Sequence, residues 1–236
     1  MRTHSHVCLK YPKCLLSEIK MNYCIIFDLD GTLVDSIDDL TDAVNYMRSE
    51  YGLTELDRDV VQSYVGNGVK ELIRRSIQDS ICDFEGALEK MSSYYRDHIV
   101  DKTVCYPGVK SGLAELAANG FVLGVWTNKN EQPARHILSK LDIGKYFDFV
   151  IGGDSGYALK PDPEGALAIM KEFNANEDTT FILGDHYTDL EAGRRADIRR
   201  AFASYGFGDP HNEKPDYIID CFADFVSKMI TLKHKL

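Results

Sequence analysis

Short apolar runs recur along the chain, each closed by a polar or turn-forming residue. Cys24-Ile25-Ile26-Phe27 ends at Asp28, Phe121-Val122-Leu123-Gly124-Val125-Trp126 at Thr127, Phe149-Val150-Ile151 at Gly152-Gly153, and Phe181-Ile182-Leu183 at Gly184-Asp185. Runs of this length, rich in β-branched and aromatic residues, predict fully buried strands of a parallel sheet. Tyr217-Ile218-Ile219 and Ala201-Phe202-Ala203, the latter with Arg199 and Arg200 just before it, predict two shorter strands. Between the runs the apolar positions change to helical spacing, as at Leu113, Leu116 and Ala117, over residues 130–141, at Ala166, Leu167, Ile169 and Met170, and over residues 222–229. Strand and helix in alternation predict an α/β chain.

One interval breaks the alternation. Ile37, Leu40, Val44 and Met47 predict a helix, and further helical patterns follow at 57–64, 69–79 and 84–100, the last carried by Leu88, Met91, Tyr95 and Ile99. No strand separates these four helices, which predicts a small layer or cap apart from the sheet. Within it Gly66-Asn67-Gly68 reads either as a helix–helix turn or as a substrate contact. Lys70, Arg74 and Arg75 follow, as a solvated helix face or as partners for a substrate carboxylate.

Composition narrows the class. Apolar residues at 44% and charged residues at 27% are globular values. A mean hydropathy of -0.26 and the lack of any apolar run near ~18 residues predict no membrane span. The net charge of -10 opposes nonspecific nucleic-acid binding, which depends on neutralising phosphates. An anionic substrate would therefore have to be met by Lys and metal concentrated locally. Cys8, Cys14, Cys24, Cys82, Cys105 and Cys221 are scattered without a C-x-x-C pair and read as reduced thiols. Residues 1–20 lack the apolar stretch of a secretory signal, so a cytoplasmic location is expected. Met21 immediately precedes the first strand, and residues 1–20 read as a dispensable extension or a misplaced start.

Candidate chemistry gathers where the strands end, because open α/β sheets bind ligands at the carboxyl ends of their strands. Asp28 and Asp30 close the first run, and two carboxylates so close repel unless a cation lies between them. Oxygen ligands in low number suit Mg2+, and a carboxylate can also act as a nucleophile. An acidic turn before a helix capped by Asp35 or Ser36 would explain the same spacing. Thr127 and Asn128 offer a hydroxyl and helix-start N–H groups for a phosphate oxygen, or simply cap the next helix. Lys160, fixed before Pro161 and Pro163, is a point charge for phosphate or an ordinary surface lysine. Asp185 and Asp189, one helical turn apart, are metal ligands or acids favoured at a helix N-terminus.

The full string Asp28-Leu29-Asp30-Gly31-Thr32-Leu33-Val34-Asp35-Ser36 resembles the first motif of the haloacid dehalogenase-like phosphohydrolases. Thr127, Lys160-Pro161-x-Pro163 and Gly184-Asp185-x-x-x-Asp189 resemble the second, third and fourth, in family order. The resemblance covers residues 24–236 and implies a Rossmann-like parallel sheet core, at 21–35 and 105–236, with an inserted α-helical cap at 36–104. It implies that Asp28 attacks phosphorus and that Asp30 is general acid and base. Thr127, with Asn128 beside it, would bind the phosphoryl group, and Lys160 would pair with Asp28. Asp28, Asp30 through its backbone carbonyl, Asp185 and Asp189 would hold Mg2+. The loop Gly66-Asn67-Gly68 and the later Tyr205-Gly206-Phe207-Gly208 resemble the phosphoglycolate phosphatase-like branch, where the cap loop faces the active site.

A small phosphorylated metabolite is the implied substrate, with phosphoglycolate first on cap resemblance. Sugar phosphomutase, pyrophosphatase and nucleotidase activities share this scaffold, and a module that binds phosphate without turnover is the non-enzymatic alternative. His186 stands where relatives carry small polar residues, and no role is assigned to it.

Overall fold

The computed structural model describes residues 21–78 and 83–235. The N-terminal stretch 1–20 with Cys8 and Cys14, the segment 79–82 with Cys82, and Leu236 lie outside the described residues. Six parallel strands form the central sheet: β1 (Tyr23–Phe27), β4 (Phe121–Trp126), β5 (Phe149–Ile151), β6 (Thr180–Gly184), β7 (Arg199–Ala203) and β8 (Tyr217–Ile219). Their order is β5-β4-β1-β6-β7-β8, so the chain runs outward from β1 to one edge and then crosses back to the other. β1 is central, and its neighbours β4 and β6 carry the next two strand ends of interest.

Alternation along β1 divides the core in two. Ile25 and Phe27 point to one face and join the cluster that includes Phe222 and Phe225 of α9 (Phe222–Lys233) and Leu113 of α5 (Val109–Ala118). Cys24 and Ile26 point to the other, against Ile169 of α7 (Glu164–Glu172) and Ala192 of α8 (Tyr187–Arg195). Cys24, Ile25, Ile26 and Phe27 are completely buried, as a strand covered on both faces requires.

Between β1 and β4 the chain makes α1 (Ile37–Glu50), α2 (Arg58–Gln62), α3 (Val69–Ile77) and α4 (Phe84–Asp97), with α1 packed against the other three. A two-residue antiparallel ribbon, β2 (Val34–Asp35) with β3 (Val104–Cys105), joins the entry and exit of this stretch. Buried Asp39 fastens the exit by accepting from the backbone N–H groups of Lys102 and Thr103 and from Thr103 Oγ1 at 2.6 Å. Ribbon strands this short carry no periodicity, which is why the sequence does not announce them.

The strand expected at 201–203 starts two residues earlier. Arg199 and Arg200 lie inside β7, in register with Phe181 and Ile182. Their charges are accommodated because Arg199 lies over the Phe181 ring at 5.1 Å, while Arg200 reaches Asp216 and Glu213. No helix among the described residues is long and apolar enough to cross a membrane.

Candidate active site

Asp28 is the first residue beyond β1, and its backbone N–H still donates to Leu183 of β6 at 3.0 Å. The strand register therefore places its carboxylate over the carboxyl edge of the sheet. Lys160 arrives from the loop after β5, following a turn whose Lys160–Pro161 peptide is cis. Lys160 is 4% exposed, and its ammonium donates to Asp28 Oδ1 at 2.7 Å, Asp189 Oδ1 at 2.5 Å and the Trp126 carbonyl at 2.8 Å. Burial acts to lower the Lys160 pKa, but Asp189 and Asp28 more than offset it and hold the group above the ordinary lysine value.

Asp185 follows β6, and Asp189 lies in the first turn of α8. Asp185 accepts from Thr32 Oγ1 at 2.9 Å and from the backbone N–H groups of Phe207 and Gly208 at 3.1 and 2.8 Å. Gly31 makes this approach possible, since its φ is +84° and a Cβ there would overlap the Asp185 carboxylate. Asp189 accepts from the His186 backbone N–H at 3.1 Å.

Oxygens of Asp28, Asp185 and Asp189 all lie within 4.8 Å of one another, and all three side chains are buried. Burial pushes Asp28 up to about 6, Lys160 working against it and Asp189 and Asp30 with it. Asp185 is pushed well above the usual carboxylate range by burial, then by Asp28 and Asp189. Three buried carboxylates facing one ammonium leave negative charge without a counter-charge, and hard oxygen donors in this grouping fit a divalent cation.

The Asp30 carboxylate is not in that group. It sits between Ser36 Oγ at 2.5 Å and Lys129 Nζ at 2.9 Å, the Lys129 and Asp30 side chains being only 9% and 10% exposed. Burial acts to lower the Lys129 pKa, but Asp30 outweighs it and holds the amine above the ordinary lysine range. Lys129 is a site residue that the sequence did not single out, because nothing in its position after Thr127-Asn128 announces the partner. Thr32 was likewise legible only as a letter of the first motif.

A cavity of about 220 Å³ opens from this cluster, with Asp28, Asp30, Thr127, Asn128 and Asp185 in its wall. Lys160 and Asp189 lie behind them. Thr127 is 3% exposed at the end of β4, and its Oγ1 accepts from the Lys129 backbone N–H at 3.2 Å. The Asn128 amide is engaged with backbone: Nδ2 donates to Gly66 O and Lys160 O, and Oδ1 accepts from the Lys160 N–H. Gly66 and Gly68 reach the cavity wall from the helical stretch, whereas Asn67 turns aside to Tyr187 and Arg75. A Cβ at Gly66 would run into His186, so this loop and the start of α8 are closely fitted. Arg74 and Arg75 both pair with Glu71, as a helix face does.

Similarity to known proteins agrees with this arrangement. A family model described as haloacid dehalogenase-like hydrolase matches residues 25–203. A phosphoglycolate phosphatase of Aquifex aeolicus is 34% identical over 205 residues, 87% of this chain and 95% of that protein. Phosphoglycolate phosphatase 1 of Pseudomonas aeruginosa is 35% identical over 86% of this chain and 78% of its own length. Among solved structures, a predicted phosphoglycolate phosphatase of Haemophilus somnus 129PT superposes with a TM-score of 0.83 at 28% identity, covering 89% of this chain and 99% of that one. A match spanning β1 to β7, on a sheet whose successive strand ends bring two aspartates, a threonine, a lysine and two further aspartates together, means that the chain belongs to the haloacid dehalogenase-like hydrolase family.

Proposed function

We propose that this chain is a Mg2+-dependent phosphomonoester hydrolase whose substrate is phosphoglycolate and whose nucleophile is Asp28. The observation that carries the reading is the juxtaposition of a buried Asp28, held by Lys160, with Asp185 and Asp189 on one side and Asp30 on the other, at the floor of a cavity. The relatives named for phosphoglycolate supply the choice of substrate.

In this reading the Asp28 carboxylate attacks phosphorus while Asp30 gives a proton to the departing alcohol oxygen. Asp30 then removes a proton from the water that hydrolyses the aspartyl phosphate. Lys160 fixes Asp28 and places positive charge beside it, and Thr127 Oγ1 donates to a phosphoryl oxygen. Asp28, Asp185, Asp189 and the Asp30 carbonyl would hold Mg2+, which when bound neutralises charge on the carboxylates and the phosphoryl oxygens.

We assign residues 21–35 and 105–236 to the catalytic core and 36–104 to a cap. The contacts of Gly66 and α4 with the same cavity support that division, since a segment closing over the site would exclude water and contact the leaving group. Free Cys24, Cys105 and Cys221 accord with a cytoplasmic location.

The test is phosphate release from phosphoglycolate with and without Mg2+, by the wild type and by Asp28→Asn. Turnover that survives chelation, or a fully active Asp28→Asn, overturns the mechanism. Turnover of aryl phosphates with none of phosphoglycolate overturns the substrate alone.

A further inference from the structure

One polar group in the cavity has no part in the phosphoryl chemistry above. Tyr95 lies on α4, is 7% exposed and lines the cavity, and its buried hydroxyl, approached by Lys129, completes no well-formed hydrogen bond among the described residues. Buried hydroxyls are normally well paired, so one left without a well-formed bond on a cavity-lining residue points to a missing ligand atom. Lys129 Nζ lies 4.8 Å from the centroid of the same ring and 2.9 Å from Asp30 Oδ2. An ammonium has three donors and no acceptor, so Lys129 can bind a second anion while it keeps Asp30.

We propose that Tyr95 and Lys129 form a subsite for a carboxylate on the leaving group, which makes the enzyme selective for short phosphomonoesters whose alcohol carbon bears a carboxylate. The inference rests on the reading of Asp30 as the group that protonates the departing oxygen. In such esters a single carbon separates that oxygen from the carboxylate, so an ester oxygen at Asp30 brings the carboxylate to the residue already paired with Asp30. Lys129 supplies the charge and the Tyr95 hydroxyl beside it a directed donor. Burial pushes the Tyr95 phenol up to about 12, against the pull of Lys129, so it stays a donor at neutral pH.

The other cations near the helical stretch are less suited. Arg74 and Arg75 are committed to Glu71, and Arg96, which also lines the cavity, is exposed to screening solvent. A leaving group without a carboxylate would leave the Tyr95 hydroxyl without a well-formed bond, and a site built to pair a polar group discriminates against ligands that cannot.

The experiment compares phosphoglycolate with ethyl phosphate, in which a methyl group replaces the carboxylate, at saturating Mg2+. Wild type, Tyr95→Phe and Asp28→Asn are assayed, and their thermal melting is recorded. The wild type is expected to prefer phosphoglycolate in kcat/KM. Tyr95→Phe is expected to narrow that preference by about tenfold or more, through KM, at an undiminished Tm because the poorly paired hydroxyl is gone. Equal proportional losses on both substrates, or an unaltered preference, overturn the subsite. A wild type indifferent to the carboxylate overturns it too, while the phosphatase reading stands as long as Asp28→Asn is inactive. An active Asp28→Asn removes the phosphatase reading and the subsite with it.

Discussion

Lys160 joins Asp28 to Asp189: one ammonium donates to both carboxylates, at 2.7 and 2.5 Å, with the Trp126 carbonyl taking its remaining proton. Asp28 ends the central strand, and Asp189 sits in the first turn of α8. A single side chain therefore ties the floor of the site to its wall. All three donors are used, so the charge is held in one place.

Replacing that ammonium by an apolar chain of similar length should be costly in two ways. Lys160→Met leaves Asp28, Asp185 and Asp189 buried without a cation from the protein, and loss of one partner of a buried pair destabilises by about 3–5 kcal/mol. Urea denaturation of the metal-free variant should show a loss of that order, partly restored by Mg2+. Phosphate release should fall by about 100-fold or more. A metal-free variant as stable as the wild type would mean that Lys160 does not carry the charge balance.

Two glycines with positive φ should respond differently to a methyl group. Gly31 has φ +84° and sits where a Cβ overlaps the Asp185 carboxylate, whereas Gly52, at φ +68°, has nothing near its Cβ position. Gly52→Ala should cost only the left-handed backbone penalty, about 1–2 kcal/mol. Gly31→Ala should cost more and should also weaken Mg2+ affinity, since Asp185 has to move. Titration of activity with Mg2+ separates the two variants, and equal affinities would show that Asp185 is not held by this contact.

Three of the four strand ends were legible because Asp28, Thr127 or, after Gly184, Asp185 closes the apolar run, and the fourth because Lys160-Pro161-x-Pro163 follows the Gly152-Gly153 stop; strand ends at one edge of a parallel sheet must share a neighbourhood. The Lys129–Asp30 pair was not, because it joins two such ends through side chains whose directions no local pattern encodes. Tyr95 was legible only as one apolar position of a helical stripe with Leu88, Met91 and Ile99. Its ring does pack against the core, but the residue also lines the cavity, and periodicity reports the former alone. Arg199 and Arg200 misplaced a strand boundary because charge normally marks an exit from a buried strand. Here the arginines are only half-buried and find Phe181, Glu213 and Asp216 nearby.

Cys24 should resist alkylation in the folded protein. It is fully buried in β1, and burial pushes its thiol up to about 12, so the thiolate fraction at pH 8 is on the order of 10⁻⁴. Cys221 is exposed. After brief treatment with iodoacetamide, peptide mapping should find Cys221 labelled and Cys24 unlabelled until denaturant is added. Labelling of Cys24 at a comparable rate would mean that the central strand opens far more readily than its burial implies.

Removal of metal should make stability depend on pH in a definite direction. Burial raises Asp28 from 3.8 to about 6 in the metal-free fold, so folding favours its protonated form. That contribution is fully present below about 3.8 and is lost as pH rises through about 6. Asp185, raised by the same burial and by its two acidic neighbours, acts in the same sense. In chelator the melting temperature should therefore fall between pH 5 and pH 7.5. Saturating Mg2+ should reverse the trend, because a cation bound to ionised carboxylates is displaced by protons and so stabilises more at the higher pH. The gap between the Mg2+ and chelator melting curves should widen steadily with pH. A gap that is constant or that narrows would mean that Asp28, Asp185 and Asp189 do not bind the ion.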